Sequence, residues 1–131
     1  MRILDTDTCV AILRGVETVI ARRATVRDDV ATTWISAAEL YYGAAKSKAP
    51  AANRALVKEF LATLPVLQLE EISVQIFGDA KALLERQGRR LDDADLLIGA
   101  IAVARDGIVV TGNRRHYERI PGVRVEDWMR G

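Results

Sequence analysis

A chain of 131 residues that is 50% apolar, 28% charged and 5% aromatic has the make-up of one folded globular domain and excludes a disordered or collagen-like polymer. A net charge of only +1 gives the surface as a whole no pull on polyanions, so any affinity for nucleic acid must come from local patches. The longest apolar stretch, Leu96 to Ala104, is too short to span a bilayer, the opening Met1-Arg2-Ile3-Leu4-Asp5 lacks the apolar run of a secretory signal, and the lone Cys9 excludes an intrachain disulfide. These features lead us to expect a single domain over residues 1–131, off the membrane, in a reducing cytoplasm.

Arg2-Ile3-Leu4 reads as a short strand that ends in the turn Asp5-Thr6-Asp7-Thr8, after which Cys9, Val10, Ile12 and Leu13 follow at helical spacing up to Gly15. Val30 to Ile35 is rich in β-branched and aromatic residues, and Ser36 then opens a helix carrying Leu40, Tyr41 and Ala44. Pro50 interrupts. Ala51 to Leu64 has helical spacing, with Leu56, Val57, Phe60, Leu61 and Leu64 on one face, and Pro65 ends it. Val66 to Leu69 is a third strand. Ser73 to Gln87 spaces Ile76, Phe77, Ala80, Leu83 and Leu84 as a helix and stops at Gly88, a residue suited to a left-handed C-cap. A mostly apolar helix from about Asp93 to Arg105, ended near Gly107, leads into Ile108-Val109-Val110-Thr111, the β-branched run expected of a buried parallel strand. Gly112-Asn113 turns the chain, and Val123 to Val125, past Pro121-Gly122, is a weaker last strand.

Strands alternating with helices imply an α/β class: a three-layer α/β/α domain around a central, mainly parallel sheet. In such sheets ligands sit beyond the carboxyl ends of the strands, near the point where strand order reverses. Asp5 follows the first strand, Glu39 lies just inside the helix after the second, and Asn113 follows the Ile108–Thr111 strand. Each acid also has a plain structural explanation. Asp5 or Asp7 suits a helix cap, Asp92, Asp93 and Asp95 suit the positive end of a helix dipole, and Ser36-Ala37-Ala38-Glu39 fits the capping-box pattern. A cap or dipole contact contributes roughly 0.3–1 kcal/mol, whereas two carboxylates about 5 Å apart repel by on the order of 3 kcal/mol at an effective dielectric near 20. If the acids converge, capping does not justify the crowding, and a hard divalent cation with oxygen ligands does.

The residue inventory removes other chemistries. His116 is the only histidine, so paired-histidine acid–base catalysis is excluded, and no G-x-S-x-G elbow is present for a serine hydrolase. One cysteine and one histidine cannot build a structural zinc site, and no glycine-rich loop cradles a nucleotide. Carboxylates with a metal remain, a set able to drive in-line phosphodiester displacement. Arg22-Arg23, Arg86 to Arg90 and Arg114-Arg115 with Arg119 are candidate phosphate contacts, and Tyr41, Tyr42 and Tyr117 are candidate stacking partners.

Taken together, Leu4-Asp5-Thr6-Asp7-Thr8-Cys9, Ala38-Glu39-Leu40-Tyr41-Tyr42-Gly43-Ala44, Asp95-Leu96-Leu97-Ile98-Gly99-Ala100, Val110-Thr111-Gly112-Asn113 and the closing Arg119-Ile120-Pro121-Gly122 to Trp128 resemble VapC-type toxins of the PIN-domain family. The resemblance runs in the right order through nearly the whole chain. It implies a PIN fold and a Mg²⁺- or Mn²⁺-dependent endoribonuclease that inhibits translation. It also implies the toxin half of a type II toxin–antitoxin pair, neutralised by a VapB-type antitoxin and homodimeric. It places the first acid on Asp5, the second on Glu39 and the third on Asp95, which joins the group through the resemblance alone, and a polar fourth member on Asn113. Asp5 and Asp95 would be the direct metal ligands. Relatives usually carry Asn at the position of Asp7 and many carry an acid at that of His116, which leaves the completeness of a second metal site open. The Asp5–Cys9 start, the Tyr42–Ser47 segment and the Arg119–Gly122 end are most similar to members that cut tRNA in the anticodon loop. Two rival readings stand beside this one. Asp5-Thr6-Asp7 after an apolar strand mimics the D-x-D motif of a haloacid-dehalogenase-type phosphatase, and a non-catalytic binding module would use its acids only as caps.

Overall fold

The strands β1 (Arg2–Leu4), β2 (Val30–Thr33), β3 (Val66–Leu67), β4 (Ile108–Val110) and β5 (Arg124–Glu126) are short and, at the centre, apolar on both sides. Because successive side chains alternate, Ile3 and Val109 face one side of the sheet and Leu4 and Val110 the other, and all four are fully buried. Such strands need a helical layer on each face. In the computed structural model, which describes residues 1–130, the strands are all parallel in the order β3-β2-β1-β4-β5. Helices α1 (Thr6–Leu13), α2 (Glu17–Thr25), α3 (Trp34–Ala45) and α4 (Pro50–Leu61) bury Cys9, Val19, Leu40 and Phe60 around Leu4 and Val110. Helices α5 (Glu71–Arg86), α6 (Asp93–Ala104) and α7 (Arg114–Tyr117) bury Leu84, Ile98, Ile101 and Tyr117 around Ile3 and Val109. The expected α/β/α sandwich is thus observed. Among the described residues no helix is long and apolar enough to cross a membrane.

Two features of the topology prepare a site. The chain moves outward from β1 through β2 to β3, then returns to lay β4 on the other side of β1. Strand order therefore reverses between β1 and β4, and the residues after them, Asp5 and Thr111, flank the crevice where ligands of parallel sheets bind. Moreover, a helix that leads into a parallel strand must run against it. Helix α6 therefore starts at the carboxyl edge, which brings Asp95 there by topology as well as by resemblance. Gly99 lets this helix lie close against the segment that follows α7: a Cβ at that position would lie 2.4 Å from Ile120 Cδ1.

Several boundaries differ from expectation for identifiable reasons. The stretch from Glu17 to Thr25, given no element above, is α2, anchored by Val19 at 0% exposure. Pro50 begins α4 at its first position, where its missing N–H costs nothing. Gly88 does take the left-handed conformation at φ +67°, but the turn before β4 uses Asp106 at φ +50° in place of Gly107. Strand β2 stops at Thr33 and α3 starts at Trp34, not at Ser36. The residues after Asn113 form the short helix α7. The last two differences bear directly on the site.

Candidate active site

Asp5 leaves β1 at the switch point with its N–H on the Val110 carbonyl at 3.0 Å. Its carboxylate accepts from the Thr8 N–H at 2.9 Å, so it is the N-cap of α1. It is also only 3% exposed. Burial pushes its pKa up to about 6, against the Thr111 side chain and Thr8, which hold it down, while Asp7 adds repulsion. A cap is worth about 1 kcal/mol, whereas two pKa units of unfavourable ionisation cost about 3 kcal/mol. Capping is therefore real here and does not explain the burial.

Glu39 is released from the capping role that its sequence pattern suggested. The Thr33 hydroxyl accepts from Ser36 N–H at 3.1 Å, so Thr33 is the cap and Ser36 the third helical residue. The Ser36–Glu39 box cannot form. Instead the Thr6 hydroxyl donates to Glu39 Oε1 at 2.5 Å and lies 3.1 Å from the Ser36 hydroxyl. Thr6 follows Asp5 directly, which ties Glu39 to the end of β1.

Asp95 is half-buried, and Tyr117 Oη donates to its Oδ1 at 3.1 Å. His116 Nδ1 is 3.6 Å from Oδ2, too far for a hydrogen bond. Burial raises the Asp95 pKa and Asp92 adds to it, while Tyr117 and His116 oppose. The Tyr117 phenol reports on the whole group. Its pKa is raised first by burial, then by the charges of Asp5, Asp95 and Glu39 together, so it stays protonated and donating. Of the three acids, Asp95 is the one that the buried hydroxyl contacts directly. Among the described residues no lysine or arginine forms an ion pair with any of them.

Asn113 also reaches this edge, at the end of β4. Its N–H donates to the Thr111 hydroxyl at 2.9 Å, and its amide nitrogen faces His116 Nδ1 at 2.7 Å rather than a carboxylate. Asp7 is exposed on the first turn of α1. Among the described residues, no three His, Cys, Asp or Glu side chains are grouped closely enough to hold a metal ion by themselves.

The structure corrects three readings of the sequence. Tyr117 is 1% exposed and cannot stack on a base. Arg22 is bound to Glu126 at 2.9 Å, and Arg23 donates to Thr63 Oγ1 at 3.0 Å over the Phe60 ring, so this pair braces the fold and does not meet phosphate. Thr6, Thr8 and Thr111, the hydroxyl residues around the acids, were not singled out. Their only signal is that each lies within four residues of a strand end. Cys9 is buried against Thr32, and burial pushes its thiol up to about 12, which makes it a core residue without redox reactivity. The D-x-D phosphatase reading calls for a lysine at a later strand end. The four lysines, Lys46, Lys48, Lys58 and Lys81, fall on α3 to α5 and their connections and not at a strand end.

Beside the acids, α1, α3 and α4 enclose a groove of about 340 Å³ lined by Val10, Leu13, Leu40 and Leu56, with Arg14, Lys46 and Glu39 also on its wall.

Comparison with known proteins agrees with this fold. The family model described as PIN domain matches residues 2–122. The tRNA(fMet)-specific endonuclease VapC of Salmonella typhimurium is 37% identical over 95% of this chain and 96% of its own length. That of Shigella flexneri is 32% identical over the same shares. The crystal structure of DNA-bound VapBC from Salmonella typhimurium superposes with a TM-score of 0.91 over 97% of both chains at 37% identity. The structure of VapBC2 from Rickettsia felis bound to a promoter DNA fragment gives 0.90 at 28% identity over 97% of this chain and 98% of that one. With the fold, the ordered acids and full-length similarity in agreement, the chain belongs to the PIN-domain family, among its VapC ribonucleases.

Proposed function

We propose that this protein is a divalent-metal-dependent endoribonuclease acting as the toxin of a toxin–antitoxin pair, with Asp5 and Asp95 as direct ligands of Mg²⁺ or Mn²⁺ and Glu39 and Asn113 completing the catalytic group. The observation that carries this reading is that Asp5, Asp95 and Glu39 stand together at the carboxyl edge, Asp95 on the Tyr117 hydroxyl and Glu39 on Thr6 beside buried Asp5, with no lysine or arginine ion-paired to them among the described residues. The donor set fits a hard cation. It offers only carboxylate oxygens, and Mg²⁺ commonly takes one or two of these and completes its shell with waters and substrate phosphate. When bound, such an ion would neutralise the scissile phosphate and acidify an attacking water.

The protein's own residues divide the remaining work. Asp5 is fixed by Val110 and the α1 amides. Tyr117 orients Asp95, and this kind of outer hydrogen bond sharpens a ligand's direction. Glu39, held by Thr6 and exposed, is placed to accept a proton from water. Asn113 holds His116 at the rim.

The substrate we assign is tRNA, because the relatives from Salmonella typhimurium and Shigella flexneri are tRNA(fMet)-specific endonucleases, with the cut assigned to the anticodon loop on the resemblance of the Asp5–Cys9, Tyr42–Ser47 and Arg119–Gly122 segments. The partner we assign is a VapB-type antitoxin seated in the α1–α3–α4 groove, whose apolar floor suits a helix or extended peptide. Since Glu39 belongs to both groove and site, an occupant of the groove reaches the catalytic group. One experiment tests the activity: incubation with total tRNA and with ribosomes in Mg²⁺, Mn²⁺ or EDTA, followed by mapping of the RNA ends. We expect metal-dependent cuts in a tRNA anticodon loop. Cleavage undiminished in EDTA would remove the metal, and cuts confined to ribosomal RNA would remove the tRNA assignment.

A further inference from the structure

Three carboxylates repel the backbone of any RNA that approaches them, and a bound divalent ion offsets that only locally. A counter-charge along the path of the flanking phosphates is needed. The arginines at the carboxyl edge are arranged to supply it. The connection 87–92 lies at this edge because α6 begins there, and α7 lies there because it follows β4. Arg119 Nη1 donates to the Arg90 carbonyl at 3.3 Å, which joins the two segments beside Asp95 and its partner Tyr117. Arg89, Arg90 and Arg115 are exposed and Arg119 is half-buried.

Their place at this edge is what distinguishes them. Arg2, Arg105, Arg124 and Arg22 are spent on Asp28, Glu70, Asp106 and Glu126, and other arginines without an ion pair among the described residues, such as Arg14, Arg27 and Arg54, lie outside the 87–92 connection and α7. Among the described residues none of Arg89, Arg90, Arg115 and Arg119 forms an ion pair, although acids are close in sequence. Glu118 is taken by Arg114 and Asp93 by Lys81. A guanidinium left without a carboxylate, fully charged at any working pH, is suited to bidentate phosphate contact.

From this we infer that the RNA backbone enters the site along the ledge formed by the 87–92 connection and α7, with Arg89, Arg90, Arg115 and Arg119 as its phosphate contacts. This rests on the ribonuclease reading above. It also separates two jobs in space: substrate arrives on the α6–α7 side of the acids, and the apolar groove occupies the α1–α3 side.

The test is the salt dependence of binding of a fluorescein-labelled single-stranded RNA oligonucleotide by the full chain in EDTA, where it is not cut. For single strands each phosphate contact contributes about 0.7 to the slope of log K against log salt. The triple variant Arg90→Gln/Arg115→Gln/Arg119→Gln should lower that slope by about 2. A variant of equal charge change, Lys48→Gln/Arg54→Gln/Lys58→Gln, should leave it unaltered. If loss of the Arg119–Arg90 contact unfolds the triple, the exposed pair Arg90→Gln/Arg115→Gln should still lower the slope by about 1.4. Equal slopes for ledge and control variants, in a wild type that cleaves RNA with metal, overturn the ledge alone. A wild type that cleaves no RNA overturns the ribonuclease reading and the ledge with it.

Discussion

At the amino edge of the sheet, the terminal amine and Arg2 meet Asp28 at 2.5 and 2.8 Å, Arg124 meets Asp106 at 3.1 Å, and Arg105 meets Glu70 at 2.5 Å. At the carboxyl edge, Asp5, Glu39 and Asp95 meet only amides, hydroxyls and one distant imidazole. The ordinary behaviour of surface charge is seen at the first edge, where the amine and Arg2 hold Asp28 down at about 2. At the second, burial pushes Asp5 in the opposite direction, up to about 6. Both edges are made by the same strands, so the difference lies in what the loops supply. One edge is closed electrostatically by the chain itself, while the acids of the other have no lysine or arginine partner among the described residues.

Removing charge from the carboxyl edge should have the largest effect. Asp5→Asn and Asp95→Asn should each reduce metal-dependent cleavage of labelled RNA by more than about 100-fold. Tyr117→Phe, which keeps the ring and removes the donor to Asp95, should cost about 10- to 100-fold, part of it recovered at high Mn²⁺. An unaltered rate in Tyr117→Phe would mean that Asp95 is positioned without it.

The same carboxylate should show the opposite sign in stability. Asp5 has a raised pKa when folded, so between about pH 4 and pH 6 the folded state keeps a proton that the unfolded chain releases. Metal-free stability should therefore fall as pH rises through that window, by up to about 3 kcal/mol. Asp5→Asn should recover most of this at pH 7 and nothing below about pH 4, as read by urea unfolding in EDTA. Asn still caps α1, so Asp5→Ala should be the less stable of the two by about 1 kcal/mol. A metal-free Asp5→Asn less stable than wild type at pH 7 would show that capping, and not crowding, governs this residue.

Activity should carry the same signature. Below about pH 6 the proton competes with the metal for Asp5, so the cleavage rate at limiting metal should drop roughly tenfold per pH unit, and added Mn²⁺ should move the drop to lower pH. A flat profile between pH 5 and 7 would remove Asp5 from the ligand set. The smallest effect belongs to the amino edge. Arg105→Gln breaks an exposed pair with Glu70 and should change stability by less than about 1 kcal/mol and the cleavage rate not at all.

Local pattern by itself determined much of this protein. The β-branched runs at Ile3 and Ile108–Val110 specify strands buried on both faces, Gly88 marks the end of α5, and Asp5 follows β1 by simple adjacency. Each depends on residues within a few positions of one another, where backbone sterics and side-chain alternation act directly. The site was less legible because its members are brought together by pairing between distant strands. Asp95 sits where it does because α6 must run against β4. Glu39 escapes its capping box because β2, paired with β3 through Thr33 and Leu67, ends where Thr33 caps α3 first. Tyr117 looked like an exposed stacking ring and is a buried donor because α7 folds it under the acids. Only the tertiary structure decided which charges find partners, since that depends on which edge of the sheet a loop reaches, and no short-range spacing in the chain encodes that.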